Sequence, residues 1–202
     1  NTVLIILGDH GEAMGEHGKK QHDLVLWQEG IEIPMVLYGP DVLPQKKKIL
    51  GPRQQIDIVP TVISLVGATV KQGSFRGTSL LEEVPEDRKL FMSCWRERRC
   101  MGKRIGDSKF LYHYNRRDNE YFHLIQDPQE KSNRISELQS ATIDSHVDKI
   151  RNWKRNVKGL YAARLEQWKS GAFLQPTDKK PLATWEGISL LGCQLETSTI
   201  FK

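Results

Sequence analysis

A carboxylate and an imidazole stand next to each other where the first apolar segment of the sequence ends. Asp9 and His10 follow the apolar residues 2–7, and Gly8 and Gly11 flank the pair. Such a pair can bind one divalent cation, because both side chains are common metal ligands and glycine permits a sharp break of the strand. Two ligands do not complete a site, so the others must come from elsewhere. The alternative is a loop aspartate that caps a helix beside a solvent-exposed histidine.

The elements that must position this pair follow an α/β pattern. Continuous apolar runs are typical of buried strands, and we expect them in a parallel sheet, where ligands bind beyond the carboxyl ends of the strands. Pro60 is tolerated only in the first turn of a helix, so the second helix should start near Asp57, and Gly67 should end it. The order of elements predicts a doubly wound sheet. The predicted strands are 2–7 and 33–38, and the predicted helices are 24–31 and 54–66.

The second part of the sequence has a different pattern. Short strand candidates separated by Gly, Asp and Asn turns predict a small antiparallel sheet. A long amphipathic helix should follow, with an apolar stripe that runs from Ile143 to Trp168 and packs on the sheet. We therefore expect an α/β part at 1–85, an antiparallel subdomain with its helix at 86–170, and a surface extension at 171–202. The strand candidates are 90–94, 100–105, 110–114 and 120–124.

Composition excludes few functions. A hydrophobic fraction of 38% and a mean hydropathy of −0.52 suit a soluble globular chain. No apolar run within it is long enough for a bilayer-spanning helix. The net charge of +5 only mildly favours anionic partners. Of the three cysteines, Cys94 and Cys100 are spaced for a short-loop disulfide, although two free thiols are equally compatible with the sequence.

Several short motifs follow one another in a consistent order. They are GDHGE at 8–12, GEHG at 15–18, WQE at 27–29 leading to IPMV at 33–36, QIDIVPT at 55–61, GTSL at 77–80, and YFHLIQDPQE at 121–130 with Asn133. Together they resemble the C-terminal portion of a sulfatase, a family of the alkaline phosphatase superfamily. The order is more specific than any single motif. The resemblance implies the C-terminal part of an alkaline phosphatase-like doubly wound sheet, with a small antiparallel sheet and a long helix.

The resemblance also implies roles for particular residues. Asp9 and His10 match the family's metal-binding pair, and His22 matches a Lys or His that contacts the anionic group of the ester. An imidazole there can bind a sulfate oxygen or act as a general acid. Lys20 is the neighbour that could take over this contact, and His17 is expected to be structural. We expect a glycan or small-molecule sulfate ester as the substrate, and a periplasmic, secreted or lysosomal-type location. The expected cofactor is one divalent cation, Ca²⁺ first, or Mn²⁺ or Zn²⁺ for a phosphate or phosphonate ester.

The nucleophile that the family uses is not in this sequence. It is a Cys in Cys-x-Pro/Ala-x-Arg that is oxidised to formylglycine, or a Ser or Thr, and it lies upstream of the Asp-His pair. The nearest match, CMGKR at 100–104, follows Asp9 and carries Gly in place of Pro or Ala. We therefore expect the catalytic half to lie outside this sequence and the chain alone to be inactive.

Other functions remain open at this point. A phosphonate or phosphodiester hydrolase or a phosphoglycerol transferase of the same superfamily would keep the fold and change the ester, and His10 after Asp9 leans slightly that way. The basic stretch 96–104, with Trp95 and Tyr112 nearby, could instead belong to a non-catalytic basic binding module. Solvated edge strands explain it better, so we expect no nucleic acid. The oligomeric state is not predicted.

Overall fold

The computed structural model describes residues 2–20, 22, 26–70, 74–94 and 100–170, together with the backbone of two short strands near the C-terminus. The chain divides into two compact units: Asn1–Gly51 with Pro85–Arg155, and Pro52–Val84 with Asn156–Lys202. The elements are β1 (Leu4–Leu7), α1 (Gln28–Ile31), β2 (Met35–Tyr38), α2 (Ile58–Leu65), β3 (Ala68–Val70), β4 (Lys89–Ser93), β5 (Met101–Ile105), β6 (Ser108–Tyr112), β7 (Glu120–His123), α3 (Ser140–Lys169), β8 (Ser189–Leu190) and β9 (Cys193–Thr197).

The first two strands form an antiparallel ribbon in the first unit. Leu4 pairs with Tyr38 and Ile6 with Val36. The predicted parallel pairing of these strands is wrong, because a continuous apolar run does not encode the direction of the neighbouring strand. The expectation of full burial is also wrong, since these four side chains share one face and are 49% to 61% exposed. The helix predicted at 24–31 is only the single turn α1, and residues 24 and 25 lie outside the described part.

The predicted antiparallel sheet is confirmed, with strand bounds shifted by one or two residues. Its order is β4-β5-β6-β7. Neighbouring residues of a strand point to opposite faces. Leu111 therefore packs with Trp27 in one cluster, and Phe110 and Tyr112 pack in another beneath α3. Both faces of this sheet are therefore covered within the first unit.

Cys94 and Cys100 form a disulfide beside the first of these clusters. Their Cα atoms are 5.3 Å apart, a usual separation for a disulfide. The Cys94 N–H donates to the Cys100 carbonyl at 3.0 Å, so the backbone also closes this short loop. The question that the sequence left open is thus answered in favour of the disulfide.

The long helix α3 packs only part of its apolar stripe. Ile150 is fully buried against Phe110, and Ile143 and Val147 pack beside it. By contrast, the later members of the stripe are exposed, Trp168 to 63%, so the predicted packing is wrong for that half. The helix has 30 residues and is therefore about 45 Å long, and its part after Arg155 belongs to the second unit.

Asp57 organises the second unit. It is fully buried, and its carboxylate accepts the N–H groups of Gln54 at 2.9 Å and Thr78 at 2.8 Å. Helix α2 starts directly after it, with Pro60 in the first turn and Gly67 just beyond the end at φ 64°, as predicted. A Cβ on Gly77 would overlap the Ile56 carbonyl oxygen, so glycine is required there.

The segment predicted as a surface extension contributes to a sheet in this second unit. Strand β9 pairs antiparallel with both β3 and β8. The rest of residues 171–202 lies outside the described part. Among the described helices, none is both long enough and apolar enough to cross a membrane.

Candidate functional site

The loop after β1, which we call the site loop (residues 8–22), is held against α1 by its backbone. The Gly11 N–H donates to the Gly30 carbonyl at 3.1 Å. A Cβ on Gly11 would overlap the Glu29 carbonyl oxygen, so only glycine allows this approach. The glycine that permits the break after the strand thus also fixes where the loop lies.

Asp9 and His10 turn their side chains toward one another at the start of the site loop. His10 Nδ1 is 2.8 Å from the Gly11 carbonyl oxygen, which can only accept, so Nδ1 carries the proton. In a neutral ring the lone pair is then on Nε2, which lies 3.6 Å from Asp9 Oδ2. Both side chains are open to solvent, Asp9 to 90% and His10 to 44%. This arrangement presents one nitrogen and one oxygen ligand side by side.

His22 lies beside His10 and is oriented by Glu12. The two imidazole rings are stacked, with centroids 3.8 Å apart and planes 18° apart. His22 Nδ1 lies 2.6 Å from Glu12 Oε2, close enough for a strong hydrogen bond to a carboxylate. Ligand atoms of His10, Glu12 and His22 lie within 4.8 Å of one another. A carboxylate and two imidazoles thus converge in an exposed loop.

The sequence prediction missed Glu12 as part of the site. It did contain a signal, because an acid follows the Asp-His-Gly motif directly, but nothing in the spacing told that it would pair with His22, ten residues away. Lys20 is exposed, and the structure gives its side chain no hydrogen bond or ion pair within the described residues. The structure therefore brings His10, Glu12 and His22 together, whereas no contact within the described residues fixes the Lys20 side chain.

His17 fastens the middle of the site loop to two other segments of the first unit. Nδ1 is 2.7 Å from Glu29 Oε1, and Nε2 is 2.9 Å from the Glu130 carbonyl oxygen. Both partners are acceptors, so both bonds form only when the ring is a doubly protonated imidazolium. The ring also stacks on Trp27, with centroids 4.1 Å apart. His17, which the sequence predicted to be structural, thus fastens the site loop to Glu29, Trp27 and the backbone of Glu130.

The protonation of His17 follows from these contacts. Burial by itself lowers the pKa of His17, but the hydrogen bond to the Glu130 carbonyl and the contact with Glu29 raise it more, so the net shift is upward. The loop is therefore best held when His17 is charged.

A buried ion pair lies next to the His17 contacts. Lys109 Nζ is 2.7 Å from Glu130 Oε1, and both side chains are fully buried. Gln28, the first residue of α1, links to both: its N–H donates to Glu130 Oε2 at 2.5 Å, and its Oε1 accepts from Lys109 at 3.1 Å. Burial lowers the pKa of Lys109 and raises that of Glu130, and their mutual attraction opposes both shifts. The pair ties the antiparallel sheet to α1 and, through His17, to the site loop.

Residues 1–68, which include the site loop, match the family model of the sulfatases. Over this stretch the chain is similar to the sulfatases, and curated sulfatases are among its relatives. A Δ4,5-hexuronate-2-O-sulfatase of Bacteroides thetaiotaomicron is 25% identical over an alignment 180 positions long, which covers 78% of this chain and 37% of that protein. An arylsulfatase of Clostridium perfringens is 28% identical over 75% of this chain and 32% of its own length. The low-salt glycan biosynthesis sulfotransferase Agl7 of Haloferax volcanii is 31% identical over 52% of this chain and 26% of its own length.

The chain thus spans between 26% and 37% of the length of these relatives. A solved structure in complex with its substrate D-glucosamine-2-N,6-O-disulfate matches 78% of the chain with a TM-score of 0.59, at 20% identity. A solved 2-O GAG sulfatase matches 83% of the chain with a TM-score of 0.56. Likeness at this level of identity concerns the fold, and the predicted alkaline phosphatase-like α/β class is confirmed.

Proposed function

We propose that the full-length protein hydrolyses a sulfuric ester and that Asp9 and His10 hold its divalent cation. The observation that carries this proposal is the pairing of Asp9 Oδ2 with His10 Nε2 at 3.6 Å, with Nδ1 engaged by the Gly11 carbonyl. Two ligands on one cation, each about 2.0–2.5 Å from it, stand at about this separation. A bound cation would stabilise the negative charge that builds on the ester oxygens. Ca²⁺ is the ion we expect, and the formylglycine nucleophile would come from another part of the protein.

His22 supplies the contact with the sulfate group in this proposal. Glu12 accepts the Nδ1 proton of His22, which holds the ring in one orientation. A cationic imidazole can bind a sulfate oxygen or protonate the leaving alcohol. Lys20, which is exposed, would add positive charge near the anion without a fixed geometry. The substrate would be a sulfated glycan or a small sulfate ester, in keeping with the substrate named for the solved relative.

The chain alone should not turn over such an ester. The motif nearest to the family's nucleophile begins at Cys100, and that sulfur is bonded to Cys94. A covalent mechanism needs an activated nucleophile beside its base, and the sequence offers none in the expected order. The disulfide also supports a location outside the reducing cytosol.

Variants of the full-length protein test the proposal. Asp9→Ala should lose the bound cation and the activity together, whereas His22→Ala should keep the cation and lower turnover by roughly 10²–10⁴. Metal analysis and steady-state kinetics measure the two effects. Lys20→Gln should weaken substrate binding, with Lys19→Gln as the matched control on an adjacent exposed lysine. Full cation content in Asp9→Ala, or unchanged kinetics in His22→Ala, would refute the corresponding assignment.

A second candidate is sulfuryl transfer to an alcohol in place of water. The 31% identity to a sulfotransferase of glycan biosynthesis favours it. Both reactions use the same anion contacts and differ in the acceptor. Incubation of the full-length protein with a sulfate ester and a glycan acceptor, followed by mass spectrometry, separates free sulfate from a sulfated acceptor.

A further inference from the structure

The cluster of His10, Glu12 and His22 has ligand chemistry that the proposed cation site does not use. Ca²⁺ prefers six to eight oxygen ligands, whereas two imidazoles with one carboxylate suit zinc and its transition-metal neighbours. The three side chains are 38% to 44% exposed, so an ion can reach them from solvent. Among the residues that the structure describes, no other three His, Cys, Asp or Glu side chains converge in this way.

The geometry of the cluster is close to that of a three-ligand zinc site. Ligands on one zinc ion stand about 3.3 Å apart, because each bond is about 2.0–2.1 Å long. The three ligand atoms here lie within 4.8 Å of one another, so small side-chain rotations in an exposed loop bring them to that distance. The hydrogen bond from His10 Nδ1 to the Gly11 carbonyl already fixes the tautomer that leaves Nε2 for a metal.

We propose that His10, Glu12 and His22 form a binding site for a transition-metal dication such as Zn²⁺, and that its occupation inhibits the enzyme. The inhibitory part rests on the proposed function, because it needs His10 as a ligand of the catalytic cation and His22 as the sulfate contact. Zinc bound to the cluster would prevent His10 from binding the catalytic cation and His22 from contacting the sulfate group. The two metals are therefore mutually exclusive, and zinc inhibition should be relieved by an excess of the catalytic cation.

Zinc binding by the 202-residue chain tests the site without any activity. Wild-type chain should bind one Zn²⁺ in competition with a colorimetric chelator. Glu12→Gln and His22→Gln should each weaken binding by at least roughly 10- to 100-fold, because removal of a group that only supports a metal ligand already costs that much. Asp9→Asn is the matched control, because it removes a neighbouring acid of the proposed catalytic cation pair and should leave zinc affinity unchanged. Circular dichroism of each variant checks that the exposed loop substitutions leave the fold intact.

The absorption spectrum of bound Co²⁺ provides a second readout. Intense visible bands in wild type that vanish in Glu12→Gln and His22→Gln support coordination by nitrogen and oxygen at the cluster. Zinc affinity that is unchanged in both variants, or that falls as much in Asp9→Asn, would overturn the site. If the wild-type chain binds no zinc but the full-length protein has sulfatase activity that requires Asp9, this inference alone is refuted. If zinc binds and its affinity depends on Glu12 and His22, but the full-length protein has no sulfatase activity, the proposed function alone is refuted.

Discussion

Lys109→Met should destabilise the chain because it leaves the Glu130 carboxylate in the interior without its cation. Both side chains are fully buried, so water cannot replace the ammonium that lies 2.7 Å from Glu130 Oε1. Within the described part of the chain, the Gln28 N–H, which donates to Oε2, would be the donor that remains. Removing one partner of such a pair typically costs about 3–5 kcal/mol of the free energy of unfolding.

The loss should depend on pH in a defined direction. Burial raises the pKa of Glu130, and the attraction of Lys109 is the main effect that opposes this rise. Without Lys109 the pKa rises further, so at acid pH the carboxyl is protonated in both folded and unfolded states and its charge costs nothing. As the pH rises above the unfolded value of about 4.3, the buried carboxylate is increasingly disfavoured, and the loss of stability grows.

Urea unfolding of wild type, Lys109→Met and Lys103→Met at two pH values measures these effects. Lys103 is the matched control: it is 2% exposed on the neighbouring strand β5 and has no carboxylate partner within the described part of the chain. Burial and the nearby Lys149 and Lys89 lower the pKa of Lys103 to about 8. Lys103→Met should therefore be neutral or stabilising. The double variant Lys109→Met with Glu130→Leu should recover most of the loss, because no unpaired charge remains.

A loss below about 1 kcal/mol in Lys109→Met would refute this account, because an unpaired buried charge costs more than that. An equal loss in Lys103→Met would also refute it, since the effect would then come from lost packing. A loss that does not change with pH would show that the charge of Glu130 is not its cause.

Three further outcomes are expected. The pKa of His17 is raised in the folded state, so the charged ring stabilises the fold fully at pH values below the unfolded pKa of about 6.5. This contribution to stability is lost as the pH rises through the folded pKa. The free energies of unfolding of wild type and His17→Gln, compared across this pH range, measure it. Gly77→Ala should lower the free energy of unfolding clearly, because its Cβ would overlap the Ile56 carbonyl oxygen, and thermal unfolding reports the change. Opening the Cys94–Cys100 disulfide by a mild reductant should cost about 2 kcal/mol, checked by urea unfolding with and without reductant.

Local patterns of the sequence determined much of the secondary structure. The start of α2 after Asp57, its end at Gly67 and the strands of the antiparallel sheet follow from residue types within one turn or one hairpin. These features depend on backbone preferences of adjacent residues, so they can be predicted without a fold. The ordered motifs also indicated a resemblance to the sulfatases, and the sulfatase family model matches residues 1–68.

Tertiary structure alone decided how distant residues meet. Nothing in the spacing tells that Lys109 pairs with Glu130, or that His17 reaches the carbonyl of Glu130, because each contact depends on which strands and loops the topology brings together. The site shows the same limit: the sequence placed His10 at the end of a strand, while the partnership of Glu12 with His22 needed the course of the loop. Local preferences fix the elements, but the side-chain contacts between distant segments follow only from how those elements pack.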